Sequence, residues 1–250
     1  MVEIKNISKV FSSKGEENTV LQNVNLTVNK GEFITLLGPS GCGKTTLLTM
    51  MAGFQKPTSG EIWLGDEMVT KPSPKKGFVF QNYALFPWMT VKENILYPMK
   101  QQKLGKDEME KRFEKLIEIA HLEGKEDLYP KELSGGMKQR TAFVRALAGN
   151  PKILLLDEPL GAIDFQMRKS IQVQLEKLWQ ETKITTVMVT HDVEEALYLS
   201  DRVIVMSKNR GEIIKDFKVQ MERPRNREFK EYKDYKKELE KLLELALKGV

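Results

Sequence analysis

Apolar positions in the first 37 residues follow a strand-like rhythm. Val2, Ile4 and Ile7 punctuate one run, Val24, Leu26 and Val28 alternate in a second, and Phe33 to Leu37 are almost continuously apolar. Lys30-Gly31 reads as the turn between the last two. A glycine-rich stretch, Gly38 to Gly43, comes next, and Lys44-Thr45-Thr46-Leu47-Leu48 then suits a helix that stops near Gly53. The local order is strand, loop, helix. Pro57-Thr58-Ser59-Gly60 marks another turn, before short strand candidates at Glu61 to Leu64 and Gly77 to Phe80.

From Pro87 to about Ala148 the spacing becomes helical, with Met109, Phe113, Leu116, Ile117 and Ala120 on one stripe, which predicts a helical insert. Strand character returns at Ile153 to Leu156 and Ile184 to Val189. The helix-like Gln166 to Gln180 separates them, the alternation of parallel strands with crossover helices. Val203 to Met206 and Gly211 to Phe217 read as a closing hairpin. Beyond Pro224 the chain is highly charged, yet Phe229, Tyr232, Tyr235, Leu239, Leu242, Leu243 and Ala246 recur every three or four residues, predicting an amphipathic helix. No repeat of fixed period and no low-complexity linker divides the chain.

Composition narrows the class. A chain of 250 residues, 40% of them apolar, has enough material for a sizeable core, so disorder is not its main theme. Forty Lys and Arg against 35 Asp and Glu leave +5, spread along a sequence carrying both signs, which is no nucleic-acid footprint. The longest purely apolar runs, such as Ile153 to Leu156, fall far short of the ~20 residues of a spanning helix. The opening MVEIKNISKVF lacks the features of a secretory signal, and a single cysteine, Cys42, excludes an internal disulfide.

Gly38-Pro39-Ser40-Gly41-Cys42-Gly43-Lys44-Thr45 satisfies G-x-x-x-x-G-K-[ST]. In such a loop backbone N–H groups wrap phosphates, the lysine reaches the outer ones and the hydroxyl ligates Mg²⁺. A chance match occurs in roughly one chain of this length in a hundred, and here it sits after a strand and before a helix. Cys42 occupies a free position of the loop, where a small side chain is tolerated. Ile153-Leu154-Leu155-Leu156-Asp157-Glu158 is an apolar strand ending in two carboxylates, where an open α/β sheet presents its ligand site; taken alone it reads equally well as an exposed strand terminus. With the phosphate loop, Asp157 becomes a candidate for the Mg²⁺ shell and Glu158 for orienting or deprotonating the attacking water. Of the two histidines, His121 reads as structural or solvent-facing, whereas His191 follows the apolar strand Thr186 to Thr190 and is a candidate γ-phosphate contact.

Leu133-Ser134-Gly135-Gly136-Met137-Lys138-Gln139-Arg140 opens a strongly helical stretch with Ser and two Gly, a second anion site of helix N-terminal type. Its place about a dozen residues before Pro151 and the Asp157-Glu158 strand matches the signature segment of ATP-binding-cassette (ABC) ATPases, and the sequence resembles that family over nearly its whole length. The matching segments run in order: Phe11, where the family stacks an aromatic on adenine, the phosphate loop continuing to Thr46, Gln81, the signature, Asp157-Glu158, Gly161-Ala162-Ile163-Asp164 and His191. The resemblance implies an α/β phosphate-loop NTPase fold of ABC-ATPase type: a RecA-like parallel core, an N-terminal antiparallel β-subdomain and an α-helical subdomain at about 87–148, within one domain spanning 1–222. Two copies would pack head to tail with each ATP between the phosphate loop of one and Ser134, Gly135, Gly136 and Asp164 of the other. Lys44, Gln81, Glu158 and His191 would be catalytic, and Thr45, Gln81 and Asp157 would hold Mg²⁺. The departures are small: Met137 stands where Gln is commoner, and Gly161-Ala162-Ile163-Asp164 replaces the frequent Ser-Ala-Leu-Asp.

Within the family, Asn82 to Val91, Gly161 to Asp164 and Arg223-Pro224-Arg225 look most like the nitrate, sulfonate and taurine importers, with the pyrimidine-precursor importers also similar. That implies a cassette on the cytoplasmic face of a membrane, partnered by a second copy and an integral permease, with an external solute-binding protein involved indirectly and no nucleic acid. Phe86-Pro87-Trp88 would meet a short helix of the permease, although the same cluster also reads as helix packing. The tail, 223–250, looks too short for a regulatory β-domain. A cytosolic cassette without a transport role would usually carry a long coiled coil or a second phosphate loop, and a small-molecule kinase needs no signature segment.

Overall fold

The computed structural model describes residues 1–13, 16–161 and 165–249. They fall into two compact units, Met1–Pro72 with Lys183–Val250, and Ser73–Thr182.

The first unit holds two layers of strands. In one, β1 (Val2–Ser13) pairs antiparallel with β2 (Glu16–Val28) and with β4 (Ser59–Leu64), and β4 continues to the two-residue β5 (Glu67–Met68). The register puts Ile4 opposite both Leu26 and Ile62, so three buried apolar side chains meet across three strands. Both β1 and β2 run further than the hydrophobic pattern predicts, because their far ends are exposed and carry polar residues. Glu67 and Met68 of β5 are exposed and too short to leave a period.

In the other layer β3 (Phe33–Leu37) lies between β8 (Thr185–Thr190) and β9 (Arg202–Met206), parallel to both, and β10 (Ile213–Lys218) closes antiparallel on β9. β3 has neighbours on both edges and all five of its residues are buried; four are apolar, and the fifth, Thr35, satisfies its hydroxyl by a hydrogen bond with the hydroxyl of Ser200. Leu37 pairs with Thr190 and with Val205, so β3 and β8 end level and deliver Gly38 and His191 to the same carboxyl edge.

Three helices complete this unit. α1 (Lys44–Ala52) starts at Gly43 and stops at Gly53, whose φ of +83° ends it in the left-handed form. α6 (Val193–Leu199) is capped by Asp192, whose Oδ1 accepts from the N–H groups of Glu194 (2.7 Å) and Glu195 (3.2 Å). α7 (Lys230–Lys248) buries Tyr232, Leu239 and Ala246, one residue every two turns. Its start is pinned on Glu194, which pairs with Lys236 at 2.8 Å and Arg227 at 3.2 Å and accepts from the Tyr232 hydroxyl at 3.1 Å. Further along, Tyr235 stacks edge-on against Phe217, and the Lys208 N–H donates to the Ala246 carbonyl at 3.0 Å.

The second unit pairs β6 (Lys76–Val79) in parallel with β7 (Ile153–Asp157), whose first four residues are buried. Its helices are α2 (Val91–Gln101), α3 (Lys106–Ile119), α4 (Gly135–Ala148) and α5 (Phe165–Thr182). α2 opens on a full capping box: Glu93 N–H donates to the Thr90 hydroxyl while the Glu93 carboxylate accepts from the Thr90 N–H. Long cations tie the helices together, Arg112 of α3 donating to the Ala148 carbonyl at 3.1 Å and Arg140 of α4 to the Ala120 carbonyl at 2.6 Å. No helix among the described residues is long and apolar enough to cross a membrane.

Burial opposes ionisation of Glu194, but Lys236, Tyr232 and Arg227 more than offset it and hold its carboxyl below the ordinary 4.5. A carboxyl with a depressed value stabilises the docked helix above its ordinary range and loses that contribution as pH falls through the folded value. The partly exposed pair contributes about 1 kcal/mol, against ~1.5–3 kcal/mol for burying one large apolar side chain, so the apolar stripe dominates docking. Glu194→Gln is therefore expected to lower hydrogen-exchange protection in 230–248 about fivefold at pH 7 without releasing α7, and to abolish the fall in protection that wild type shows below pH ~4.5. Unchanged protection in the variant would contradict the pinning.

Candidate functional site

In the first unit the site begins where β3 runs out of sheet. At Gly38 an added Cβ would come within 2.5 Å of the Met206 carbonyl and 2.9 Å of Cys42 Sγ; Gly43, with φ +95°, would put one 2.5 Å from Leu21 Cδ2. These positions must be glycine, and the loop closes as a tight ring of backbone whose last residue caps α1. The positive end of that helix adds to the field there.

Lys44 is 5% exposed, yet its ammonium is held by the carbonyl oxygens of Gly38 and Pro39, each at 2.8 Å, with Cys42 Sγ at 3.8 Å. Among the described residues no partner of Lys44 is a carboxylate. A nearly buried cation matched only by neutral dipoles favours an anion beside it. Cys42 is 1% exposed, and burial pushes its thiol up by more than the neighbouring Lys44 lowers it. This is the state of a packing residue, not of a nucleophile. Ser40, Gly41 and Thr45 are exposed on the loop, and Thr46 is half-buried behind them.

His191, exposed at the end of β8, shares a cavity of about 370 Å³ with Gly38, Pro39 and Ser40. The turn that presents it is fixed from below: the Asp192 N–H donates to the Thr190 hydroxyl at 3.1 Å, and Thr190 bonds the Glu195 carboxylate at 2.6 Å. Phe11, on β1, is 41% exposed, with the Lys9 ammonium 4.9 Å from the centre of its ring. The predicted phosphate loop and His191 are thus together, while Phe11 stands on the antiparallel layer of the same unit.

In the second unit β6 and β7 bring Gln81 and Glu158 together: Gln81 Nε2 donates to Glu158 Oε2 at 3.3 Å. A Cβ on Gly161 would lie 3.5 Å from that amide nitrogen and 3.6 Å from the carboxylate, so the turn after β7 leaves room for both. Glu158 has φ +43°, a left-handed conformation that costs a non-glycine residue about 1–3 kcal/mol and is found where position matters more than comfort. The Gly161 N–H, donating to the Glu158 carbonyl at 3.0 Å, holds that turn. Asp157 is the last residue of β7 and half-buried.

Ser134 caps α4, its hydroxyl accepting from the Met137 N–H at 3.3 Å, and leaves Gly135 exposed at the helix start with Gly136 buried behind it. Asp164 lies outside the described residues, as do Ala162 and Ile163.

The segment joining Gln81 to α2 shows residues that periodicity did not flag. Tyr83 and Ala84 both have positive φ, +58° and +47°. Arg145 of α4 donates to the carbonyls of Tyr83 (3.0 Å) and Ala84 (2.7 Å) and sits 5.3 Å from the centre of the Phe86 ring. Fully buried Asn94 accepts from the Phe86 N–H at 2.9 Å and donates to the carbonyls of Phe86, Met89 and Thr90. Burial lowers Arg145 to about 10. Beyond these clamps Trp88 is left 69% exposed, its ring 5.7 Å from that of Phe86. The available sequence signal was a cation and an amide placed on otherwise buried helix faces.

A phosphate-loop motif closing on a buried lysine, and two parallel strands that bring the Gln81 amide to the Glu158 carboxylate, are features of a nucleotide-hydrolysing cassette. Residues 21–161 match the family described as ABC transporter. The chain is 46% identical over 227 residues to an aliphatic sulfonates import ATP-binding protein of Bacillus thuringiensis, covering 90% of this chain and 89% of that one. It is 44% identical over 231 residues to a bicarbonate transport ATP-binding protein of Synechocystis, covering 90% and 81%. A dimeric ATP-binding cassette in a post-hydrolysis state with ADP and phosphate superposes with a TM-score of 0.76 at 35% identity, over 89% of this chain and all of that one. The chain belongs to the ABC transporter family, as one of its ATP-hydrolysing cassettes.

The packing of Cys42 is directly testable. Iodoacetamide at pH 7.5 is expected to alkylate the native chain at least about tenfold more slowly than a peptide thiol, with the full rate restored in urea. Alkylation of the folded protein at the free-thiol rate would mean that the loop does not close over Cys42 and Lys44.

Proposed function

We propose that the chain is the ATP-hydrolysing subunit of an importer, working as a pair of identical copies on the cytoplasmic face of a membrane. It drives uptake of a small solute through a separate integral permease. The observation that carries this reading is Lys44, a buried ammonium held by the carbonyl dipoles of its own glycine-rich loop. The importer assignment is supported by relatives named for sulfonate import and bicarbonate transport; a cargo of the nitrate, sulfonate, taurine or pyrimidine-precursor kind is what the sequence resemblance implies. An external binding protein would select it.

In this reading residues 1–222 are the ATPase domain, with about 87–148 its helical subdomain, and 223–250 add a charged amphipathic helix. The backbone from Gly38 to Thr46 wraps the phosphates, Lys44 reaches the outer two, and Phe11 stacks on adenine. Ser134, Gly135, Gly136 and Asp164 act on the nucleotide held by the other copy, so a lone copy has half of each site. Glu158 takes a proton from the water that attacks the terminal phosphorus as the bond from that phosphorus to the ADP oxygen breaks; His191 contacts the phosphoryl group being transferred. The hydroxyl of Thr45, the amide oxygen of Gln81 and the carboxylate of Asp157 are all hard oxygen donors, a set that fits Mg²⁺. The ion supplies charge neutralisation at the outer phosphates when bound. Trp88, on the clamped segment that follows Gln81, is the anchor offered to the permease.

Glu158→Gln keeps the size and hydrogen bonding of the side chain and removes its basicity. It is expected to lower ATPase turnover by about 100-fold or more and to convert monomer to dimer on addition of ATP, read by light scattering. A variant that still hydrolyses ATP near the wild-type rate, or that stays monomeric with ATP bound, would overturn this reading.

A further inference from the structure

The cavity that holds the phosphate-loop residues Ser40 and His191 is also lined by Lys208 and, from α7, by Leu243 and Leu247. The two leucines lie one helical turn apart, on the edge of the stripe whose centre, Leu239 and Ala246, is buried. Leu247 is 57% exposed. Apolar side chains do nothing for a phosphate, so their place beside the loop has another use. They are held still: the pairs on Glu194 fix the start of α7, and the bond from the Lys208 N–H to the Ala246 carbonyl fixes its end between the two leucines.

From this we infer that α7 extends the surface on which a second copy of this chain docks, with Leu243 and Leu247 buried against that copy and Lys208 beside them. The inference rests on the head-to-tail reading above, in which the second copy covers the phosphate loop. A body covering Ser40 and His191 must cross the rim that these leucines form, so their contact is continuous with that interface. By two-fold symmetry each rim contact is made twice per dimer, which doubles its effect on association. A rim contact of this kind acts on dimer formation and leaves nucleotide binding to the single copy alone.

The test uses the full chain carrying Glu158→Gln. Dimerisation is followed by light scattering against protein concentration at saturating ATP, and binding of a fluorescent ATP analogue is measured on dilute monomer. Adding Leu243→Glu with Leu247→Glu is expected to raise the dimer dissociation constant about tenfold or more while nucleotide affinity stays within about twofold. Leu247→Glu alone, at an exposed position where folding is not at risk, is expected to show a smaller shift in the same direction. Leu245→Glu, 41% exposed on the same helix but outside the cavity lining, should leave the dimer unchanged. Equal or tighter dimerisation of the double variant, or an equal loss from Leu245→Glu, would overturn the inference while the head-to-tail reading stood. Failure of the Glu158→Gln parent to dimerise would remove both.

Discussion

A buried strand here ends in a loop that closes back tightly on Lys44, and the rest of its unit is arranged around that closure. β3 can be wholly buried because β8 and β9 flank it and Thr35, its one polar residue, bonds Ser200; its end therefore falls at a fixed height on the sheet edge. The Met206 carbonyl of β9 then leaves no room for a side chain at Gly38, while at Gly43 the backbone, with φ +95°, takes the left-handed form that favours glycine. The loop curls back until Gly38 and Pro39 turn their carbonyls on Lys44. Desolvating an ammonium is costly unless something negative is near, and carbonyl dipoles answer only part of that cost. The site has an anion preference before any ligand arrives, built from packing alone.

The second unit meets a different demand, holding the half-buried carboxylate of Glu158 and the exposed ring of Trp88 in fixed places on loops. It does so with strain and with clamps. Glu158, Tyr83 and Ala84 occupy left-handed backbone that their side chains disfavour. Gly161 bonds the carbonyl of Glu158 and Arg145 those of Tyr83 and Ala84, while Asn94 secures the stretch that follows, from Phe86 to Thr90. Arg145 belongs to the helix that Ser134 caps, so the helix carrying the signature glycines and the segment carrying Trp88 share a rigid connection within this unit. An arginine used this way is buried for its geometry, and its lowered affinity for the proton still leaves it charged at neutral pH.

Much of this was legible in the sequence because the demands that produced it are local. A strand followed by Gly-Pro-Ser-Gly-Cys-Gly-Lys-Thr leaves few other uses for the residues. The stripe Phe229 to Ala246 announced α7, and the apolar run before Asp157 announced β7. Ends defined by burial were read well: Gly43 and Gly53 bound α1 where glycine composition placed them. What stayed hidden were effects of contact at long range. Nothing in the pattern marks β5, which is two exposed residues pairing with β4, or the extra length of β1 and β2, whose polar ends pair only because their other ends do. The roles of Arg145, Asn94 and Glu194 come from partners that are distant in sequence or gathered by a turn, and a charged residue on a helix looks like solvent exposure until its neighbours are known. Of the two rim leucines only Leu243 falls on the stripe that marks α7; Leu239 and Ala246 of that stripe are buried, while Leu247 lies beside it and is exposed.

The central claim is that this ATPase drives a transporter. The most direct measurement is mass spectrometry of the proteins recovered with the chain from gently solubilised membranes of its source, in the presence of ATP. The account predicts a multi-spanning membrane protein in near-stoichiometric amount. Recovery of soluble partners alone, at good yield and with ATP occupancy confirmed, would contradict it and leave a hydrolase with a different client.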